Sequence, residues 1–208
     1  MMNLRAIRFA KEYLNNYQEE VFMKTLSVLA VIGLVSVAPS AANARESLVF
    51  GRAAMELCYQ YAQGRVRSPA AIDTCTVALD TFNMTSDERA GTLVNRGIIR
   101  MLAKQPINAN LDFDGALEIN PNLAEAWLNK GVNDFRTGDS ASAMRYADRA
   151  LALHTNRPAV AYYVRGLANE DTGNLRAAYN DLQNARRIEP QWQDPSAQLA
   201  RYQVVRKN

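Results

Sequence analysis

The sequence is poor in the residues that most enzyme active sites need. It contains one histidine, His154, and two cysteines among 208 residues. A metal centre needs several His, Cys or carboxylate ligands, and nucleophilic catalysis by Ser or Cys usually needs a histidine base. Acidic pairs such as Asp112 and Asp114, or Glu170 and Asp171, are expected to be solvated, because exposed carboxylates are the norm. We therefore predict that the chain is not an enzyme and holds no metal.

The chain also lacks a strongly charged surface and a phosphate-binding loop. Its formal net charge is +3, and the basic residues alternate with acids instead of forming a stripe with stacking aromatics. Gly97, Gly131 and Gly166 are spaced as glycines that pack helix on helix, so they do not form a glycine-rich loop around a phosphate. We expect no nucleic-acid partner, no small-molecule substrate and no cofactor.

A short apolar run near the amino terminus predicts export. Met23-Lys24 is followed by the run 25–39 (TLSVLAVIGLVSVAP) and then by the segment 40–44 (SAANA). A basic start, a short apolar core and an Ala-x-Ala ending are typical of a secretory signal peptide. The run is shorter than the roughly 20 residues that a membrane span needs. We predict cleavage after Ala44, with an uncleaved membrane anchor as the alternative.

This leader, residues 1–44, is long if translation starts at Met1. A start at Met23 is the simpler explanation, and it makes residues 1–22 an extension of the gene model. The mature chain is expected in the periplasm, with secretion or attachment through the leader as alternatives.

Both cysteines follow the predicted cleavage site. An even number of cysteines in an exported chain favours a disulfide, here between Cys58 and Cys75. The segment between them, with Gly64 and Ser68-Pro69, is typical of a turn between two helices, so the bond would join one helix hairpin. Two unpaired buried thiols are the alternative. The close C-x-x-C spacing of redox-active pairs is absent.

A helix hairpin of about 34 residues recurs along the chain. The dipeptides Arg96-Gly97, Lys130-Gly131 and Arg165-Gly166 lie at intervals of 34 and 35 residues. The turn Thr137-Gly138-Asp139 recurs as Thr172-Gly173-Asn174. Since a hairpin of this size cannot bury its own apolar face, successive copies are expected to stack.

The second helices and their ends recur as well. Ala143 and Ala150 are repeated as Ala178 and Ala185, and the endings 118–121 (EINP) and 187–190 (RIEP) are in phase. With this unit length and these glycine, alanine and proline positions, residues 90–192 resemble the tetratricopeptide repeat (TPR) family. The resemblance implies an all-α solenoid of about three clear repeats, at about 90–123, 124–157 and 159–192 within the segment 85–192.

Two flanking segments complete the predicted solenoid. Residues 45–84 carry Ala71, Cys75 and Ala78 at the spacing of the second helices, which predicts a degenerate first hairpin. Its first helix is predicted at 46–63, with an apolar stripe made of Phe50, Ala53, Ala54, Leu57 and Tyr61. Residues 193–208 are predicted to cap the other end with a helix at 196–207.

The resemblance also implies a binding surface. In TPR proteins the first helices of successive hairpins line a concave face that holds a peptide or a helix of another protein. By alignment, the candidate groove residues here are Val94, Asn95, Ile98, Met101, Leu128, Asn129, Val132, Phe135, Tyr163, Leu167 and Glu170. Asn95 and Asn129 are the strongest polar candidates, because an amide can bond to the backbone of an extended peptide.

One TPR subclass binds the acidic carboxyl-terminal tails of chaperones through basic residues in this groove. At the clamp positions this sequence has Val94, Ile98, Val160 and Val164, and only Asn129 matches that pattern. We therefore do not expect a chaperone-tail function. The sequence predicts a non-catalytic interaction module that binds a peptide segment or partner helix in its groove. A structural subunit of an envelope complex, joined through convex or edge surfaces, is the alternative.

Overall fold

The structure, a computed structural model, describes residues 42–81 and 83–202, with side chains from residue 50 onward. Every regular element in these ranges is an α-helix, which confirms the predicted all-α class. The helices are α1 (Ala42–Gln63), α2 (Pro69–Thr81), α3 (Ser86–Leu102), α4 (Pro106–Ile119), α5 (Ala124–Thr137), α6 (Ser140–Ala152), α7 (Pro158–Asp171), α8 (Leu175–Ile188) and α9 (Gln193–Leu199). The predicted leader, residues 1–44, lies outside the described residues except for the first turn of α1.

The helices pack as four successive hairpins. α1 packs on α2, α3 on α4, α5 on α6, and α7 on α8. Each second helix also packs on the first helix of the next hairpin, and the first helices α1, α3, α5 and α7 contact one another in turn. This arrangement is a TPR-like solenoid, in which the first helices form the inner, concave layer and the second helices the outer layer.

Three glycines let the two helices of a hairpin approach closely. A Cβ atom on Gly97 would lie 2.5 Å from the ring of Phe113 on α4, closer than two carbon atoms can pack. A Cβ atom on Gly131 or Gly166 would lie 3.2–3.4 Å from backbone and side-chain atoms of α6 or α8, which is a tight contact. The repeated glycine is therefore a packing residue, as its spacing predicted.

The turns between the paired helices use the left-handed backbone conformation. Gly138 has φ of 91° and Gly173 has φ of 80°. The first clear repeat has no glycine at this point, and Lys104 adopts the same conformation with φ of 62°. A side chain makes this conformation costly, so the turn is set by the packing of α3 and α4 more than by its own sequence.

The helix α3 begins with a complete capping box. The hydroxyl of Thr85 accepts a hydrogen bond from the backbone N–H of Glu88, and the carboxylate of Glu88 accepts from the backbone N–H of Thr85. The carboxylate accepts from the Thr85 hydroxyl as well, and the bonds from the Thr85 N–H and hydroxyl lower the pKa of Glu88. The box satisfies two backbone groups at the helix start.

The predicted disulfide between Cys58 and Cys75 is present and joins α1 to α2. The predicted apolar stripe of α1 is confirmed at Ala54, which is buried, and at Tyr61, which packs against the core, but it is wrong at Phe50, Ala53 and Leu57. The buried residues are Gly51, Ala54, Cys58 and Ala62, whereas Phe50 and Leu57 are exposed by 72% and 42%. The disulfide fixes which side of α1 faces α2, and that side carries mostly small residues.

The carboxyl-terminal end of the solenoid is closed by α9. This helix ends at Leu199, earlier than the predicted 196–207, and the segment 200–202 continues without helix. Leu199 and Pro195 are buried against the last hairpin. Residues 203–208, which belong to the predicted cap, lie outside the described residues.

Candidate functional site

Four of the eleven predicted groove residues are buried between helices. Leu128 is only 1% exposed and packs against Ala150 and Ala161, so it joins successive repeats. Val94 and Met101 are buried in the neighbouring clusters. These side chains therefore hold the solenoid together more than they offer surface to a ligand.

The two predicted amides differ in their surroundings. Asn129 is buried, and its Nδ2 donates to the backbone oxygen of Glu125 on the same helix at 2.8 Å. Asn95, one repeat earlier, is partly exposed. Of the two, Asn95 is better placed to meet a ligand.

The middle of the concave face is a shallow apolar strip. Ile98, Val132 and Phe135 are partly exposed there, and each also packs against the core on one side. Leu167 continues the strip on α7 and is partly exposed as well. A surface of this kind can receive an apolar side chain of a partner without a deep pocket.

The strip extends to α1 through Tyr59, which sequence reasoning missed. Cys58 is bonded to α2 at the point where Gly97 and Gly131 contact their own second helices. The residues that follow these three positions are Tyr59, Ile98 and Val132, so Tyr59 shares their side of the solenoid. Its ring is exposed. An alignment of Cys58 with the repeated glycine would have found it.

The carboxyl-terminal part of the face is occupied by the chain itself. The ring of Tyr163 packs against Trp192 with centroids 4.7 Å apart. Glu170 accepts hydrogen bonds from Gln198 Nε2 at 2.8 Å and from Tyr202 Oη at 2.9 Å. Burial raises the pKa of Tyr163, and Asp194 and Glu170 add to the effect. Tyr163 and Glu170 are thus engaged by the terminal segment.

The concave face that remains open is smaller than predicted. It consists of the partly or fully exposed residues Tyr59, Asn95, Ile98, Val132, Phe135 and Leu167. Five of these belong to the predicted set, and all six lie on the first helices of the four hairpins.

On the other side of the first helices, a series of basic residues links the second helices. Arg165 donates to Asp181 of its own hairpin and to Asp148 of the preceding one. Arg96 likewise reaches Asp112 of its own hairpin and the hydroxyl of Thr76 in the preceding one. The hydrogen bonds to Asp181 raise the pKa of Arg165 further, against the effect of burial.

Lys130 occupies the same position in the hairpin between them. It forms an ion pair with Asp114 of the preceding hairpin, and its ammonium lies 5.3 Å from the centre of the Tyr146 ring. Tyr146 stands where the flanking hairpins have Asp112 and Asp181. Lys130 therefore also links two second helices, but a cation–π contact with Tyr146 replaces the ion pair within its own hairpin.

A polar cleft of about 450 Å³ opens beside Arg165, between α6 and α8. It is lined by Met144, Asp148, Arg165, Asn169, Ala177, Asn180, Asp181 and Asn184. Asn180 and Asn184 stand where α6 has Arg145 and Arg149, and their shorter side chains leave room. The Asp148 carboxylate is more than half exposed. The sequence did not reveal the cleft, because it forms only where α6 and α8 lie side by side.

In the described part of the chain, no group of three or more His, Cys, Asp or Glu side chains is arranged to hold a metal ion. The lone His154 is exposed, in the turn after α6. None of the helices within residues 42–81 and 83–202 has the length and apolar character needed to cross a bilayer.

No protein-family model matches the sequence, and no curated protein matches it. Solved TPR structures do match the fold. PilW, a type IV pilus biogenesis factor, is 26% identical with a TM-score of 0.62, and the match covers 73% of this chain and 67% of PilW. MamA from Desulfovibrio magneticus RS-1 is 21% identical with a TM-score of 0.56, covering 70% of this chain and 81% of MamA.

A third structure has a bound ligand. The first TPR domain of Spaghetti (RPAP3), bound to an HSP90 peptide, is 21% identical with a TM-score of 0.52. That match covers 56% of this chain and 94% of the Spaghetti domain. The stacked hairpins, the packing glycines and these likenesses agree. The chain therefore has the tetratricopeptide repeat fold.

Proposed function

We propose that this chain is an exported, non-catalytic interaction module of the cell envelope, which binds a peptide segment or partner helix on its concave face. The observation that supports the proposal is the open apolar strip with Asn95 beside it. Its residues come from four consecutive first helices, so an extended segment could contact all four hairpins. Peptide recognition by such a strip needs apolar anchors in the ligand and few charges.

The residues at the clamp positions indicate the chemical character of the proposed ligand. Val94 and Val164 are buried at the positions where basic residues would bind an acidic tail. At these two positions, α3 and α7 therefore offer apolar side chains and no cation. The proposed ligand is an apolar or amphipathic segment and not an acidic tail.

One observation on the outer layer of helices favours a different function, in which the convex face is the contact surface. Ile107 and Leu111 on α4 are exposed by 78% and 65%, one helical turn apart. In a structural subunit of an envelope complex, this convex pair would be the contact surface. This function is the second candidate.

Matched variants separate the two candidates. We suggest Tyr59→Asp with Asn95→Asp for the concave face, and Ile107→Asp with Leu111→Asp for the convex face. All four residues are partly or fully exposed, so the fold should persist, as circular dichroism can check. Partners are captured from envelope extract with the purified chain and identified by mass spectrometry.

Concave binding predicts that the first double variant loses its partner and the second retains it. The opposite result would replace the proposal by the structural-subunit candidate. If both variants capture the same proteins as the unmodified chain, neither surface is the binding site. Leu128→Asp is unsuitable for this test, because a buried carboxylate at Leu128 would destabilise the repeat packing.

Export is part of the proposal and has its own test. It is supported by the leader pattern before α1 and by the disulfide, which is typical of oxidising compartments. We expect the protein in the periplasmic fraction, with Arg45 as its first residue in amino-terminal sequencing. A chain that begins at Met1 or Met23 in the cytosolic fraction would contradict export.

A further inference from the structure

The first described helix exposes an apolar edge. Phe50, Ala53 and Leu57 lie on one side of α1 at the i, i+3, i+7 spacing of a helical stripe. Phe50 is 72% exposed and Leu57 is 42% exposed. Ala53 between them is also exposed.

The same side of every later first helix is an interface between hairpins. With Cys58 aligned to the packing glycines, Ala53 corresponds to Thr92, Ala126 and Ala161. All three are buried, in hairpins whose first helix packs on the preceding second helix. The edge of α1 is therefore a stacking surface for which the described residues supply no covering helix.

Leu57 shows how this surface differs from its counterparts. It corresponds to Arg96, Lys130 and Arg165, which bond to side chains of the preceding hairpin. On α1 a leucine stands in place of the cation, so the edge is apolar where the later interfaces are polar. Terminal repeats of solenoids normally turn a polar face to water.

The other end of the solenoid follows that rule. There α9 covers the last hairpin, and Gln198 and Tyr202 bond to Glu170. Stacking of the α1 edge on the carboxyl-terminal end of another molecule would have to displace these contacts. An arrangement in which two α1 edges meet leaves them intact.

We propose that the α1 edge, defined as Phe50, Ala53 and Leu57, binds the same edge of a second copy in a symmetric dimer. A two-fold interface requires a self-complementary surface. An antiparallel pairing centred near residue 54 places each Arg52 beside Glu56 of the other copy, so the exposed charges complement each other twice. Ala53, between two large apolar side chains, lets the two helices approach.

The interface is small, because it involves one helix from each copy. Stable dimers usually bury about 1,200–2,000 Å² in total, and a single pair of helices lies at the lower end. We therefore expect dissociation in the micromolar range rather than an obligate dimer.

Sedimentation equilibrium of the protein purified after expression of the whole coding sequence tests the proposal. Measurements from about 1 to about 200 μM bracket the expected dissociation constant. The unmodified chain should pass from monomer to dimer in this range. Leu57→Asp and Phe50→Asp should each weaken the dimer at least about tenfold, because a carboxylate enters an apolar contact.

Two further variants make the test specific. Ile107→Asp introduces the same charge at an equally exposed aliphatic residue on α4 and should leave the dimer unchanged. Arg52→Glu should weaken the dimer, and Arg52→Glu with Glu56→Arg should restore it. An unmodified chain that stays monomeric at about 200 μM would overturn the proposal, and the edge would then be covered by another protein or another part of this chain. Dimerisation unaffected by Leu57→Asp would overturn it equally.

Discussion

Arg96 and Asp112 form a two-pronged ion pair between the two helices of one hairpin, with Arg96 Nη2 2.8 Å from Asp112 Oδ1. Asp112 also accepts from Arg100 Nη1 at 2.8 Å. The carboxylate is buried, so the expectation from the sequence that it is solvated is wrong. From its place on α4, this single carboxylate pairs with two cations of α3.

Loss of this carboxylate should be costly. Asp112→Asn leaves two partly buried guanidinium groups without their counter-charge, so we expect the free energy of unfolding to fall by about 3 kcal/mol. The matched control is Asp114→Asn on the same helix, where the ion pair with Lys130 is half exposed. That change should cost less than about 1 kcal/mol. Urea denaturation measures both, and equal losses would refute the distinction.

The cap of α3 offers a second test, because two adjacent hydroxyl residues stand at the helix start and the structure has Thr85, not Ser86, as the cap. Thr85→Ala should lower the free energy of unfolding by about 1 kcal/mol, since the capping bond is lost. Ser86→Ala should stay within about 0.5 kcal/mol of the unmodified protein. Thermal unfolding of the two variants compares them directly. A larger loss for Ser86→Ala would contradict Thr85 as the capping residue.

The fold was predictable because the repeats carry their own spacing. Gly97, Gly131 and Gly166 stand opposite their second helices, and only glycine or a very small residue fits there. The glycine spacing does not identify the packing side of the first hairpin, because Cys58 replaces the glycine there. In this hairpin the packing stripe can be predicted only from the apolar character of the residues, and this criterion includes Phe50 and Leu57, which are exposed.

The candidate site was less predictable, for two physical reasons. Helical periodicity shows which residues share a side, but it cannot tell a groove from the contact with a neighbouring first helix. Leu128 is buried for that reason. Glu170 is engaged by Gln198 and Tyr202, which follow it by 28 and 32 residues. The local sequence of α7 does not indicate these two partners.

The turn between α3 and α4 should tolerate glycine better than its own lysine. Lys104 has φ of 62°, a conformation that costs a side-chain residue roughly 1–2 kcal/mol. Lys104→Gly removes this strain but gives the unfolded chain more freedom, so we expect a net gain below about 1 kcal/mol. Gly138→Ala, with φ of 91° in the wild type, should lose stability instead. Thermal unfolding measures both, and destabilisation by Lys104→Gly would show that the lysine side chain contributes elsewhere.

The disulfide should stabilise the first hairpin selectively. Cys58 and Cys75 are separated by 17 residues, and a loop of that size contributes about 3 kcal/mol in the chain-entropy estimate. We expect a reductant to lower the free energy of unfolding by about that amount. The double variant Cys58→Ala with Cys75→Ala has no disulfide, so the reductant should leave its stability unchanged. Mass spectrometry without reductant should show the loss of two protons. Free thiols in the exported protein would contradict the bond.

The contact between Tyr202 and Glu170 predicts a loss of stability at alkaline pH. Burial and the hydrogen bond to Glu170 raise the pKa of Tyr202 from 10.0 to about 12, because ionisation would place a phenolate beside a carboxylate. A raised pKa in the folded state means that the contribution of this group is complete below pH 10. It is lost as the pH rises from 10 to about 12.

Tyr202→Phe isolates this effect. The variant keeps a ring beside Tyr179, which lies 5.7 Å away between centroids, but it cannot donate to Glu170. We expect it to be less stable than the unmodified protein near neutral pH, and the difference to shrink as the pH rises above 10. Tyr59→Phe, on the exposed side of α1, is the matched control and should follow the unmodified protein throughout. Urea denaturation across this pH range gives the comparison. A constant difference between Tyr202→Phe and the unmodified chain would show that the hydrogen bond to Glu170 does not titrate with Tyr202. The closure of the solenoid end would then depend on its other contacts, among them the packing of Leu199 and the ring pair of Trp192 and Tyr163.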